Sequence, residues 1–169
     1  MNPVHWHLLL NHLPVIGTLL GVLLLAWGTV RKSEELKQAS LGIFVFAAVI
    51  AIPTFLTGEP AEEVAAQLPG VTEALIERHE DIARIALILT GLTGALALAG
   101  LFLRRRAPWL VAMALVFGVV AAGAMGYTAN LGGQVRHTEI RSGAASASLT
   151  ESQATEGEKA REKKKDVDD

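Results

Sequence analysis

Three histidines and an asparagine stand at the head of a long apolar run, His5-Trp6-His7-Leu8-Leu9-Leu10-Asn11-His12-Leu13-Pro14. Neutral imidazole is the commonest metal ligand, and an ionisable side chain costs enough inside hydrocarbon to need a reason. Two further histidines, His79 and His137, lie far along the chain, each at the edge of another apolar run. His7, His12, His79 and His137 are therefore the candidate ligands of a haem or a metal ion. Glu59 and Glu80, with Glu62 and Glu63, offer carboxylate oxygens beside them. Two or more histidines plus carboxylate suit Zn, Fe, Mn or Cu without choosing among them. The chain has no cysteine, which excludes disulfides, thiolate catalysis, iron–sulfur clusters and covalent c-type haem attachment. The cofactor expected is haem b, with a bare divalent transition metal as the alternative.

These residues must be held by membrane helices. Just over half of the 169 residues are hydrophobic. The charges cluster at 31–37, 59–84, 104–106 and 136–169, with long uncharged runs between them. That is the distribution of an integral membrane protein. Spans of about 8–30, 39–57, 82–103 and 109–131 are each long enough to cross a bilayer core of about 30 Å. The first is no cleavable signal peptide, because residues 1–4 carry no Lys or Arg. Pro14 marks a helix start or a kink, and Pro53 lies inside the second span. The connection 59–80 has Val64, Leu68, Val71, Leu75 and Ile76 at helical spacing. It predicts two short amphipathic helices broken at Pro69-Gly70 and lying over the bundle mouth. Gly132-Gly133 ends or bends the last helix. The fold expected for residues 1–141 is all-α, an integral membrane four-helix bundle running up-down-up-down. Residues 142–169 are too polar to bury a core and are expected to be a disordered tail.

The first and third turns carry Arg31, Lys32, Lys37 and Arg104, Arg105, Arg106, whereas the second connection is acidic. The positive-inside rule then puts both termini and the acidic connection on the outer side. Whatever the orientation, an even number of crossings brings all five histidines to one membrane face. Random placement on two faces gives that about one time in sixteen.

Helical spacing sorts the side chains further. In span one, His7, Asn11, Pro14, Thr18, Gly21, Leu25 and Gly28 form the smallest and most polar face. His5 and His12 share a different face with Leu9, Ile16, Leu19 and Leu23, so His7 and His12 do not point at one atom if the helix is regular. Span three has the row His79, Ala83, Ala86, Thr90, Gly94, Ala97. Span four has Ala114, Gly118, Ala122, Gly126, Asn130, Gly133, His137. Small-residue rows serve tight helix packing, or the close approach of a flat ring.

The patches His7-Leu8-Leu9-Leu10-Asn11-His12-Leu13-Pro14 and Leu131-Gly132-Gly133-Gln134-Val135-Arg136-His137 resemble an H-x4-H-x-P opening and an L-G-G-x3-H ending. With Thr57-Gly58-Glu59-Pro60 and His79-Glu80 between them, residues 3–140 resemble a bacterial family of small four-span membrane proteins, a domain of unknown function. The resemblance implies an inner-membrane four-helix bundle similar to b-type cytochrome modules, with suspected haem or redox work. His7, His12, His79 and His137 match the family's histidines; His5 lies outside the pattern.

Electron transfer is the function expected. The partners would be the lipid bilayer, a redox partner or quinone, and a second copy of the chain in a homo-oligomer. A structural or assembly subunit without cofactor is the alternative. No nucleophile–base pair, phosphate-binding glycine loop or H-E-x-x-H points to an enzyme. Neither basic stripe nor aromatic platform suggests nucleic acid, and spans two to four lack the midplane charge of a transport path.

Overall fold

In the computed structural model, the residues described are 3–68, 71–103, 106–137 and 140–141. They form six helical segments and, among the described residues, no strand: α1 (Pro3–Leu10), α2 (His12–Val30), α3 (Glu34–Leu56), α4 (Gly58–Ala65), α5 (Glu73–Leu103) and α6 (Trp109–Arg136). Four stretches are long and apolar enough to cross a membrane: Val4–Val30, Glu34–Leu56, Glu73–Leu103 and Trp109–Arg136. This makes the chain a multi-pass membrane protein by length and composition. The outer surface agrees: Leu9, Ile16, Leu23, Val49, Ile88 and Val116 are each more than half exposed, a surface that water would not tolerate over such an area.

Local chemistry sets the boundaries. Pro14 has no amide to give to the carbonyl of Leu10, and α1 stops at Leu10, with Asn11 alone between it and α2. The α2–α3 turn is closed by backbone bonds from Lys32 to Thr29 (3.2 Å) and from Ser33 to Gly28 (2.9 Å). Lys32 takes a left-handed φ of 53° there, and the Ser33 hydroxyl accepts the Leu36 amide at 3.3 Å as an N-cap. The connection after α3 departs from expectation. Its first half is the short helix α4, but residues from Glu73 onward run without interruption into the third span as a single 31-residue helix. No break separates Glu73 from Leu103, so the apolar packing of the span carries helix outward through Arg78 and His79. Pro69-Gly70, Arg104-Arg105 and the tail 142–169, with its expected disorder, lie outside the described residues. Gly132-Gly133 does not stop α6, which continues to Arg136.

The chain divides into two compact units, Met1–Gly132 and Gly133–Asp169. The first is held by small residues against one aromatic plug. Pro14, Thr18, Gly21, Leu25 and Gly28 are the buried residues of α2, as the helical spacing predicts. On α5, Ala86, Thr90, Gly94 and Ala97 are buried, joined by Thr93 and Gly100. The α6 row starts as expected at Ala114 and Gly118 but then steps to Ala121 and Met125, leaving Gly126 and Asn130 exposed. A strict four-residue repeat drifts about 40° per step on a helix of 3.6 residues per turn, so a three-residue step must restore the face. Phe44 is buried in a cluster with Leu25, Leu41, Ala97 and Ala114. A Cβ on Gly21 or on Gly118 would stand 2.7 Å from its ring.

One buried side chain ties α2 to α3 by a hydrogen bond: the Ser40 hydroxyl donates to the Gly21 carbonyl at 2.7 Å. Ser40→Ala is expected to lower stability by about 0.6 kcal/mol, and by no more than about 1.7, the range for interhelical bonds in membranes. A detergent melt of the two proteins checks this; an unchanged midpoint would mean the bond adds nothing.

In the second unit, the Arg141 side chain donates to the carbonyls of Gln134 (2.7 Å) and Val135 (3.1 Å). It thereby satisfies backbone oxygens at the C-terminal turn of α6, where a cation is favoured.

Candidate functional site

Two of the histidines come together in the first unit. His7 on α1 and His79 on α5 are partly buried and lie within electrostatic reach of one another. Each ring is anchored in the same way. His7 Nδ1 bonds the carbonyl oxygen of Thr54 at 3.0 Å, and His79 Nδ1 bonds that of Thr128 at 3.1 Å. A carbonyl can only accept, so Nδ1 carries the hydrogen in both rings. The lone pair of each neutral imidazole is therefore on Nε2, which has no hydrogen-bond partner among the described residues. An imidazole whose Nδ1–H is held by a carbonyl is the standard form of a ligating histidine, fixed in tautomer and made more basic.

The backbone arranges this locally. The helix α3 ends at Leu56, and the Thr57 hydroxyl lies 2.9 Å from both the Pro53 and the Thr54 carbonyls. The Thr54 oxygen, at the end of that helix, is where His7 docks. Across the site, Gly132 leaves room for the second ring: a Cβ there would stand 3.1 Å from His79 Cε1. Beside His79, the Arg78 guanidinium donates to the Tyr127 hydroxyl and lies over the same ring at 5.7 Å. Residues 78 and 79 of α5 are thus tied to residues 127 and 128 of α6.

Carboxylates border the pair. A methyl group on Gly58 would lie 3.7 Å from His7 Cε1 and 4.0 Å from Glu62 Oε1, so the imidazole and the carboxylate line one spot. Burial, then the neighbouring Glu80 and Glu59 carboxylates, push the Glu62 carboxyl above the usual range. Glu80 is also paired with Arg84 at 2.6 Å, the i,i+4 pair expected from the sequence. The side chains are 57% and 42% exposed, so the pair adds little stability.

The remaining candidates, His12, His137 and Glu59, are all exposed. His12 is exposed, as are His5, Leu9, Ile16, Leu19 and Leu23, the row that helical spacing assigned to it. His137 follows α6 in the second unit and is exposed, its amide bonded to the Gly133 carbonyl at 2.8 Å. Glu59 is exposed on α4. Among the described residues no three His, Asp or Glu side chains are grouped to hold a metal ion. The anchors Thr54 and Thr128 escape a sequence reading because they act through main-chain oxygens. Their side chains give no signal, since each hydroxyl bonds only its own helix four residues back.

Searches against family models, curated proteins and solved structures returned no match.

Proposed function

We propose that the chain is a small bacterial inner-membrane protein that holds haem b between His7 and His79 and takes part in electron transfer. One observation carries this: two imidazoles from distant parts of the chain, within reach of each other, each present an unengaged Nε2 and a carbonyl-anchored Nδ1–H. The donor set fits an iron porphyrin better than a bare ion. A porphyrin supplies four nitrogens and asks the protein for one or two axial imidazoles. A bare divalent metal asks for three or four protein ligands, and the described residues offer no such group.

When bound, haem would supply one-electron redox chemistry. The protein's share is positioning: the Thr54 and Thr128 carbonyls hold the two rings, and Gly132 keeps space beside the second. A redox protein or a quinone would exchange the electron. This reading also takes the helices as an up-down-up-down bundle with both termini outside, on the charge asymmetry of the turns. Membership of the four-span family rests on the H-x4-H-x-P and L-G-G-x3-H patches alone.

An absorption spectrum of the full chain, purified from haem-replete cells, tests the proposal. A Soret band with about one haem per chain supports it. Metal at a similar ratio without a Soret band replaces haem by a non-haem site, and a colourless, metal-free protein leaves a structural subunit.

A further inference from the structure

The histidine end of the first unit is acidic. Between Gly58 and Glu80 the chain carries six carboxylates and one strong cation, Arg78. Arg78 is exposed, yet no carboxylate pairs with it among the described residues. Glu80 and Asp81 pair with Arg84 instead, at 2.6 and 3.8 Å. Arg78 leans the other way. Its Nη2 donates to the Tyr127 hydroxyl on α6, and its guanidinium lies 5.7 Å from the centre of that ring. A guanidinium carries five N–H donors in a fixed planar fork, and only one of them is used here. The others are held in place against the ring and have no partner among the described residues.

Depth and surroundings say what faces these donors. Arg78 lies one turn, about 6 Å, outside Ile82, where the third span begins. Tyr127 lies one turn inside Leu131, where the fourth span ends. That is the level of lipid phosphates, just beyond a hydrocarbon core about 30 Å thick. Tyrosine rings and long cationic side chains both gather there. Toward the midplane the same flank is apolar. Ile85, two turns along α5 from Arg78, is half exposed, as are Val119 and Val120 on α6. One turn inward from Tyr127, a Cβ on Gly123 would meet nothing within 4 Å, and the same holds for Gly126. A strip of α6 without side chains therefore runs inward from the Arg78–Tyr127 pair.

We infer that Arg78 and Tyr127 bind the phosphate group of a membrane phospholipid whose acyl chain lies along Gly126 and Gly123. The charges are complementary: a phosphodiester is an oxyanion that a planar guanidinium grips with two parallel N–H bonds. The Tyr127 hydroxyl fixes the fork on the lipid side, away from the carboxylates of its own helix. Free phosphate lacks the chain that the bare strip accommodates. Bound there, the lipid fastens the same two helices that meet where His79 Nδ1 bonds the Thr128 carbonyl. The inference does not depend on haem.

The test titrates phosphatidylglycerol into the full-length protein in a phosphate-free maltoside detergent and reads bound lipid by native mass spectrometry. Arg78→Gln should weaken binding about tenfold or more, the worth of a charge-assisted hydrogen bond. Arg84→Gln removes the same charge from the same helix, but from a guanidinium already paired with carboxylates. It should stay within about twofold of wild type. Both arginines are exposed, so neither substitution disturbs the packed interior. Gly123→Leu should also weaken binding, because it fills the strip. Equal affinity in the wild type and Arg78→Gln overturns the inference. So does an equal loss in Arg84→Gln, which would mean attraction to net charge alone. An unaffected Gly123→Leu overturns the placement of the acyl chain. Inorganic phosphate, against chloride at the same ionic strength, should not compete; if it displaces the lipid, the site takes phosphate itself and the lipid assignment falls.

Discussion

Replacing either His7 or His79 by alanine is expected to abolish haem binding, whereas His12→Ala and His5→Ala leave it near the wild-type level. The asymmetry follows from where the rings stand. His7 and His79 are partly buried, anchored through Nδ1, and turned so that each Nε2 is unengaged. His5 and His12 are exposed on the apolar row of the first span. If haem is held by His7 and His79 as proposed, either single variant would remove one of the two imidazoles that hold it. Its carbonyl-oriented partner cannot compensate, since losing even the group that orients a ligating imidazole costs about 10–100-fold in affinity. The readout is Soret absorbance per chain, with circular dichroism to show that the helices persist. Either substitution removes the ring's bond to a main-chain carbonyl and leaves the helices' own backbone bonds in place, so the helical signal should stay. A His12→Ala protein that loses its Soret band as fully as His79→Ala would sink the assignment of this pair. So would a His7→Ala protein that keeps it.

The parts of this site that sequence could reach were those set by helical periodicity. The interior row of α2 and the exposure of His5 and His12 both follow from 3.6 residues per turn and the choice of the more polar face. The convergence of His7 and His79 follows from the chain's doubling back between them. Contacts of α2 with α3 step from Gly28–Leu36 through Gly21–Phe44 to Gly17–Ala47, so the start of the first span meets the end of the second. Three things were not legible. The α6 row drifted, because a pattern of small residues does not say where the three-residue correction falls. The second amphipathic helix merged with the third span, because periodicity is continuous across Glu73–Leu103 and only the polarity changes. The ring anchors are carbonyls, which every residue has, so no residue type marks them.

Gly94→Ala is expected to destabilise the protein by about 1–3 kcal/mol, the cost of overpacking a core, while Gly91→Ala in the same helix costs nothing. A Cβ at Gly94 would stand 2.4 Å from the Cβ of Ala48 and 3.5 Å from the Phe44 carbonyl. Neither is the end of a flexible side chain, so α3 and α5 must move apart along the line that packs Phe44. Gly91, three residues earlier, has nothing within 4 Å, and a methyl there gains helix propensity worth about 0.5–1 kcal/mol. The discriminating measurement is a double-mutant cycle. If the Gly94 penalty is contact with Ala48, then Gly94→Ala combined with Ala48→Gly should recover most of it, since neighbours in contact are non-additive. Detergent melting midpoints of the wild type, both singles and the double suffice. A Gly94→Ala protein as stable as Gly91→Ala would mean the helices are not in close contact there. A double variant no better than Gly94→Ala would place the penalty elsewhere, in the backbone of Phe44 and the seating of its ring between Gly21 and Gly118.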